Sequence, residues 1–153
     1  MQKITPFLWI SANLEEAVEY YTALFKNSKI TSLHKMGDGS FMTAALEIEG
    51  QHLMLLSGGQ FEFNESVSFF IRCETQQEVD YYWGGLTANG GSESMCGWLK
   101  DKYGLSWQVI PNVLMDLMSA GNEGSQRVMQ AMMQMRRIDI AKLEEAYNTP
   151  YYE

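Results

Sequence analysis

Cysteine and positive charge are both scarce in this chain. Only Cys73 and Cys96 occur in 153 residues, too few for a disulfide framework, so a reducing, cytoplasmic setting is expected. Lys and Arg number 11 against 19 Asp and Glu, giving a formal net charge of -8 and a pI near 4.7. Such a surface repels phosphate backbones and anionic lipid, so neither nucleic acid nor a membrane is expected as a partner. No apolar run approaches the roughly 20 residues that span a bilayer. The opening "MQKITPFLWIS" turns polar too quickly for a secretory signal. What is present, 46% hydrophobic and 20% charged residues, suffices for one domain with one sizeable core.

Periodicity divides the chain into two similar halves. Residues 4–10 read as a strand with Pro6 near its start, where a missing N–H is tolerable. "NLEEAVEYYTALF" then places Leu14, Ala17, Val18, Tyr21, Leu24 and Phe25 on one helical face, with Asn13 and Glu16 as a capping-box pair. "KITSLHKM", "FMTAALEIE" and "QHLMLLS" follow as three strands, separated by the turn signals "GDG" and "EG". The scheme recurs. "VSFFIRC" reads as a strand, "TQQEVDYYWGGL" as a helix capped by Thr75 with Glu78, and "ESMCGWL" and "LSWQVIP" as strands. "AVEYY" and "EVDYY" occupy equivalent helices, each after an equivalent strand, which indicates internal duplication.

The tail from Asn112 reads differently. "SQRVMQAMMQMRR" and "DIAKLEEAY" predict two short helices, with Asp139 capping the second and Arg136 and Arg137 as C-terminal cations of the first. Helical spacing groups Met129, Met132 and Met133 on one face, read first as core or subunit contact and second as the lining of a ligand pocket. Too many apolar residues lie here for a solvated tail, so they bury against the same chain or a partner.

"WLKDKYGLSWQ" carries the resemblance. It is similar to the aromatic-x-x-Asp-Pro-Asp-Gly-x-x-x-Glu signature of the vicinal oxygen chelate superfamily, which includes glyoxalase I, bleomycin-resistance proteins and extradiol dioxygenases. Trp98, Asp101 and Gly104 match, Lys102 and Tyr103 depart, and Gln108 stands at the Glu position. With "RVMQAMMQMRRIDIAKLEEA", the stretch resembles the PhnB-like branch, also labelled 3-demethylubiquinone-9 3-methyltransferase-like. The resemblance implies an α+β fold. Two tandem βαβββ modules, about 3–57 and 66–111, form curled mixed sheets around an open cup, with C-terminal helices in 112–153. It also implies a homodimer.

In metal-dependent members of the superfamily, His, Glu or Gln occupies four inward strand positions. Carried over, these fall near Pro6, Met54, Val67 and Gln108, of which only Gln108 offers a suitable donor. A two-residue slip brings in His52 for Met54 and still leaves two neutral donors without a carboxylate. No metal and no other cofactor is therefore expected. A methyl-donor site needs a Gly-rich turn opening a helix, and neither "LLSGGQFEF" nor "WGGL" supplies one. The methyltransferase label thus finds no support in the residues.

If Gln108 faces the cup, so does Ser106, while Trp107 and Val109 pack toward the helices. The expected cup lining is completed by Leu8, Ile10, His52, Met54, Leu56, Phe69 and Ile71. His52 has two readings, a general base or a polar residue near a strand start. Cys73 and Cys96 show no activating partner and read as packing. The expected function is small-molecule binding without a conventional metal site. The alternatives are a metal-dependent lyase, isomerase or dioxygenase acting through His52 and Gln108, a protein that sequesters drugs and, least favoured, a methyltransferase.

Overall fold

A computed structural model describes residues 2–150, and the chain divides after Glu62 into two compact units. In the first, β1 (Phe7–Ile10), α1 (Leu14–Leu24), β2 (Ser28–Lys35), β3 (Phe41–Ile48) and β4 (Gln51–Ser57) follow in order. The sheet order is β1-β4-β3-β2, with β1 parallel to β4 and the other pairs antiparallel. Asn13 Oδ1 accepts from the Glu16 N–H at 3.1 Å, satisfying an orphan first-turn donor and starting α1. The helix buries Leu14, Ala17, Val18 and Tyr21 over the sheet face that carries Leu8, Ile10, Leu46, Leu53 and Leu55. Glu49 and Gly50, both with positive φ (49° and 82°), make the tight turn between β3 and β4. Two successive left-handed residues match the right-handed twist of a hairpin.

The second unit repeats the scheme with β5 (Ser68–Cys73), α2 (Gln76–Thr87), β6 (Ser92–Glu93), β7 (Trp98–Lys100) and β8 (Ser106–Pro111). Its order, β5-β8-β7-β6, again has one parallel pair, β5 with β8. Thr75 Oγ1 accepts from the Glu78 N–H and caps α2 as expected. Three helices complete the unit: α3 (Asn112–Ser119), α4 (Glu123–Met132) and α5 (Ile140–Asn148). The fold is α+β, two βαβββ modules each with a four-stranded mixed sheet, followed by C-terminal helices.

Three local expectations are corrected. "ESMCGWL" is not one strand. Cys96 (φ 60°) and Gly97 (φ 82°) lie in the left-handed region and break it into β6, a turn and β7. A Cβ at Gly97 would meet Ile110 Cδ1 at 2.7 Å, so the turn needs glycine for space as well as for φ. Next, α3 continues directly from β8 behind Pro111 without a side-chain cap, so no cap signal marks it. Finally, Arg136 and Arg137 lie past the end of α4 and pair with Glu93 (3.7 Å) and Asp80 (3.4 Å).

The tail folds on its own unit. Ile110, Leu114, Val128, Ile138 and Leu143 form a buried cluster, each worth about 1.5–3 kcal/mol of gross burial. The Met group splits: Met132 packs on this cluster, whereas Met129 and Met133 stay exposed. Asp139 caps α5 by accepting from the Lys142 N–H. Arg127 donates to the carbonyls of Ala146 and Tyr147, closing the other end of α5. Between the helices, residues 135–140 run as a strap. Met135 and Arg136 carbonyls accept from the Cys96 and Gly97 N–H groups, and Gln76 bridges the Ile138 carbonyl and the Ile140 N–H.

Candidate functional site

Paired residues on neighbouring strands share a face, so the register assigns each expected cup residue. In the first unit, Met54 pairs with Phe7 and Ala45, Leu56 with Trp9 and Thr43, and His52 with Glu47. His52, Met54 and Leu56 thus share the face turned away from α1. Leu8 and Ile10 do not: Leu8 pairs with Leu55, and both residues are buried on the helix side. Their neighbours Phe7 and Trp9 hold the open face, and Trp9 packs edge-on to Phe61 with ring centroids 5.0 Å apart.

The second unit shows the same slip. Phe69 pairs with Trp107 and Ile71 with Val109, so both lie on the α2 side rather than beside Gln108. Phe69 and Trp107 meet edge-on at 5.2 Å. The residue beside Gln108 on β5 is Phe70, and on β7 it is Trp98. Gln108 is therefore flanked by a ring on each side, and its Nε2 donates to Ser68 Oγ at 3.0 Å. Ser106 shares this face by parity. It is fully buried, and its hydroxyl has no hydrogen-bond partner among the described residues.

The matched signature residue Asp101 builds the hairpin. It is 2% exposed, and its carboxylate accepts from the N–H groups of Tyr103 and Leu105 and from Trp107 Nε1 at 2.9 Å. One buried carboxylate thereby fixes the β7–β8 loop and the indole two strand positions before Val109. Gly104 (φ 84°) closes the loop.

A groove of about 520 Å³ opens on the Gln108 face of the second unit. Phe70, Trp98 and Gln108 form its floor, while Met115 and Met118 of α3 and Met132 of α4 form a wall. Cys96 lies at the groove as well. Apart from Gln108, the expected cup residues are absent from this lining. Met132 was legible as part of the Met group, whereas Met115 and Met118 were hidden because α3 carries no cap. Phe70 was legible, since Ser68 and Arg72 alternate with it as polar positions of one face. Cys73 lies on the other face, and burial, with the nearby Glu78 charge, pushes its thiol up to about 12. It is no nucleophile.

The residues do not fit the metal site of the superfamily. Of the four corresponding positions, Pro6 and Val67 carry no donor and Met54 offers only a thioether, which hard and borderline divalent ions bind poorly. No group of three or more His, Cys, Asp or Glu side chains is placed to hold an ion among the described residues. Nor is any helix among them long and apolar enough to cross a membrane.

Two βαβββ modules with a Trp98–Asp101–Gly104 hairpin before Gln108 define a protein of the vicinal oxygen chelate fold. The sequence pattern described as 3-demethylubiquinone-9 3-methyltransferase matches residues 2–110, and the chain belongs to that PhnB-like family. Among solved structures it is similar to a putative 3-demethylubiquinone-9 3-methyltransferase, the PhnB protein of Bacillus cereus. The two are 32% identical over 72% of this chain and 99% of that one, with a TM-score of 0.65. Protein PA1353 of Pseudomonas aeruginosa is 19% identical over 72% and 98% (TM-score 0.60). The fosfomycin resistance protein FosX of Listeria monocytogenes, complexed with Mn(II) and sulfate ion, is 13% identical over 70% and 89% (TM-score 0.53). The last two likenesses concern the fold alone. A search of the curated proteins finds no relative. The family match stops at Ile110, so the tail resemblance read from residues 127–146 lies outside it.

Proposed function

We propose that this protein binds a small molecule in the groove of its second unit, without a conventional metal site. The observation that carries the reading is the groove itself. Its volume, about 520 Å³, falls within the roughly 300–1,000 Å³ usual for ligand sites, and one amide stands among rings and thioethers. A thermal-shift screen of small molecules tests it. A binder raises the melting temperature of the wild type. Met115→Trp, which fills the groove from an exposed position on α3, abolishes the shift. A shift that survives this substitution refutes the site. Elemental analysis of protein purified without added metal is expected to find no stoichiometric Zn, Ni, Mn or Fe, and a bound ion contacting Gln108 or His52 would defeat the metal-free reading.

The proposal extends to a homodimer in a reducing cytoplasm. Free Cys73 and Cys96 support the compartment. Exposed Phe7, Trp9 and Met54 on one sheet face, and Met129 and Met133 on α4 and at its end, support burial against a second copy. Light scattering is the check. Met133→Glu weakens assembly without touching the tail core, whereas a monomeric wild type at micromolar concentration ends the proposal.

A further inference from the structure

The groove combines two parts of different origin. Its floor belongs to the region that the family pattern matches, and its wall of Met115, Met118 and Met132 lies beyond residue 110. The chemistry of the two parts together narrows what fits. Among the described residues no Asp, Glu, Lys, Arg or His lines the groove, although the chain carries a net charge of -8. A charged ligand would therefore lose hydration without gaining a partner. Arg72 is on the same sheet face, but its guanidinium lies 6.0 Å from the Phe70 ring centroid and outside the lining. Phe70 and Trp98 flank Gln108 in direct register on the two adjoining strands, about 5 Å to either side. Two rings and three thioethers suit a flat aromatic body, because sulfur packs well against rings and the Met side chains adapt to its outline.

One amide oxygen is unspent. Gln108 Nε2 is engaged with Ser68 Oγ, and no hydrogen bond to Gln108 Oε1 is present among the described residues. Ser119 Oγ already donates to the Asp116 carbonyl. We infer that the ligand is a neutral aromatic molecule carrying an N–H or O–H donor, and that Gln108 Oε1 reads this donor. The inference rests on the proposed groove site and adds its ligand class.

Three related fluorophores separate the points. N-phenyl-1-naphthylamine is neutral with one N–H. Its 8-sulfonate is anionic, and its N-methyl derivative lacks the donor. The neutral amine is expected to bind the wild type in the micromolar range, with the N-methyl compound about tenfold weaker, as loss of one hydrogen bond implies, and the sulfonate also about tenfold weaker because its charge is desolvated without a partner. Gln108→Leu removes the difference between the amine and its N-methyl derivative. Met115→Trp abolishes binding of all three, and Ser119→Trp is a second plug should Met115→Trp lower the melting temperature. Binding of no probe, or binding unaffected by either plug, overturns the groove itself. Plug-sensitive binding with the sulfonate as tight as the amine overturns the neutral class and points to Arg72. Equal binding of the N-methyl compound to the wild type, or a difference that persists in Gln108→Leu, overturns the role of Gln108.

Discussion

The two modules share one scheme and solve its last hairpin in opposite ways. Between β3 and β4 the turn is two residues long: Glu49 and Gly50 take left-handed angles, the Glu49 N–H donates to the Asn27 carbonyl at 2.8 Å, no buried side chain organises it, and nothing among the described residues lies within 4 Å of a Cβ placed on Gly50. Between β7 and β8 the loop spans residues 101–105 and is organised by a buried carboxylate with three donors. The open faces differ in the same sense. In the first module Phe7, Trp9 and Met54 face outward, whereas in the second the tail helices wall the face and leave a groove. A duplicated scaffold thus diverges where one copy is elaborated by a buried charge and added chain.

The largest effect is expected from Asp101→Ala. It strands the Trp107 indole N–H and two backbone N–H groups in a buried loop and should cost about 3–5 kcal/mol in urea unfolding. The matching perturbation in the first module, Gly50→Ala, places an alanine at φ 82° and should cost only about 1–2 kcal/mol. Equal costs would break the comparison. Leu143→Ala hollows the tail core and should cost about 2–5 kcal/mol, with loss of groove binding, if the tail is integral to the second unit. A substitution without effect on binding would make the wall independent of that core.

Smaller effects sharpen the same contrast. Ser106→Ala removes a buried hydroxyl without a partner and should leave stability unchanged or raise it by about 1 kcal/mol, read as a shift of the urea midpoint. A clear loss would mean that this hydroxyl is satisfied in solution. For Cys73 the folded thiol titrates near 12 against an ordinary 9.0, so the folded state holds its proton more tightly. The resulting stabilisation is complete below pH 9 and disappears as pH rises from 9 to about 12. Unfolding at stepped pH in the wild type and Cys73→Ser, which lacks this thiol, isolates the contribution. Iodoacetamide at pH 8 should label Cys96 and spare Cys73.

The fold was legible because its signals are local. Asn13 and Thr75 cap their helices, "EG" makes its turn, and the repeated "EYY" and "DYY" segments mark equivalent helices. The face of each strand was harder. "FLWI" in β1 is apolar at every position, so alternation gives no parity, and Leu8 and Ile10 were assigned to the open face when Phe7 and Trp9 occupy it. In β5 the polar Ser68 and Arg72 did carry the answer: they share a face with Phe70, which excludes Phe69 and Ile71. The position of the groove wall was not legible, because where the tail docks depends on long-range contacts such as the Gln76 bridge to Ile138 and Ile140.

That strap has a consequence for the order in which the chain matures. Every strand partner in the first module lies within residues 7–57, so it can assemble as soon as those residues leave the ribosome. The turn at Cys96 and Gly97 finds its backbone acceptors only at Met135 and Arg136, about 40 residues later. At roughly 5–20 residues per second of synthesis, the second module waits several seconds with two unpaired amides and an uncovered sheet face. During that interval the nascent chain is a half-finished protein whose uncovered apolar residue is Ile110, which Val128, Ile138 and Leu143 of the tail later bury.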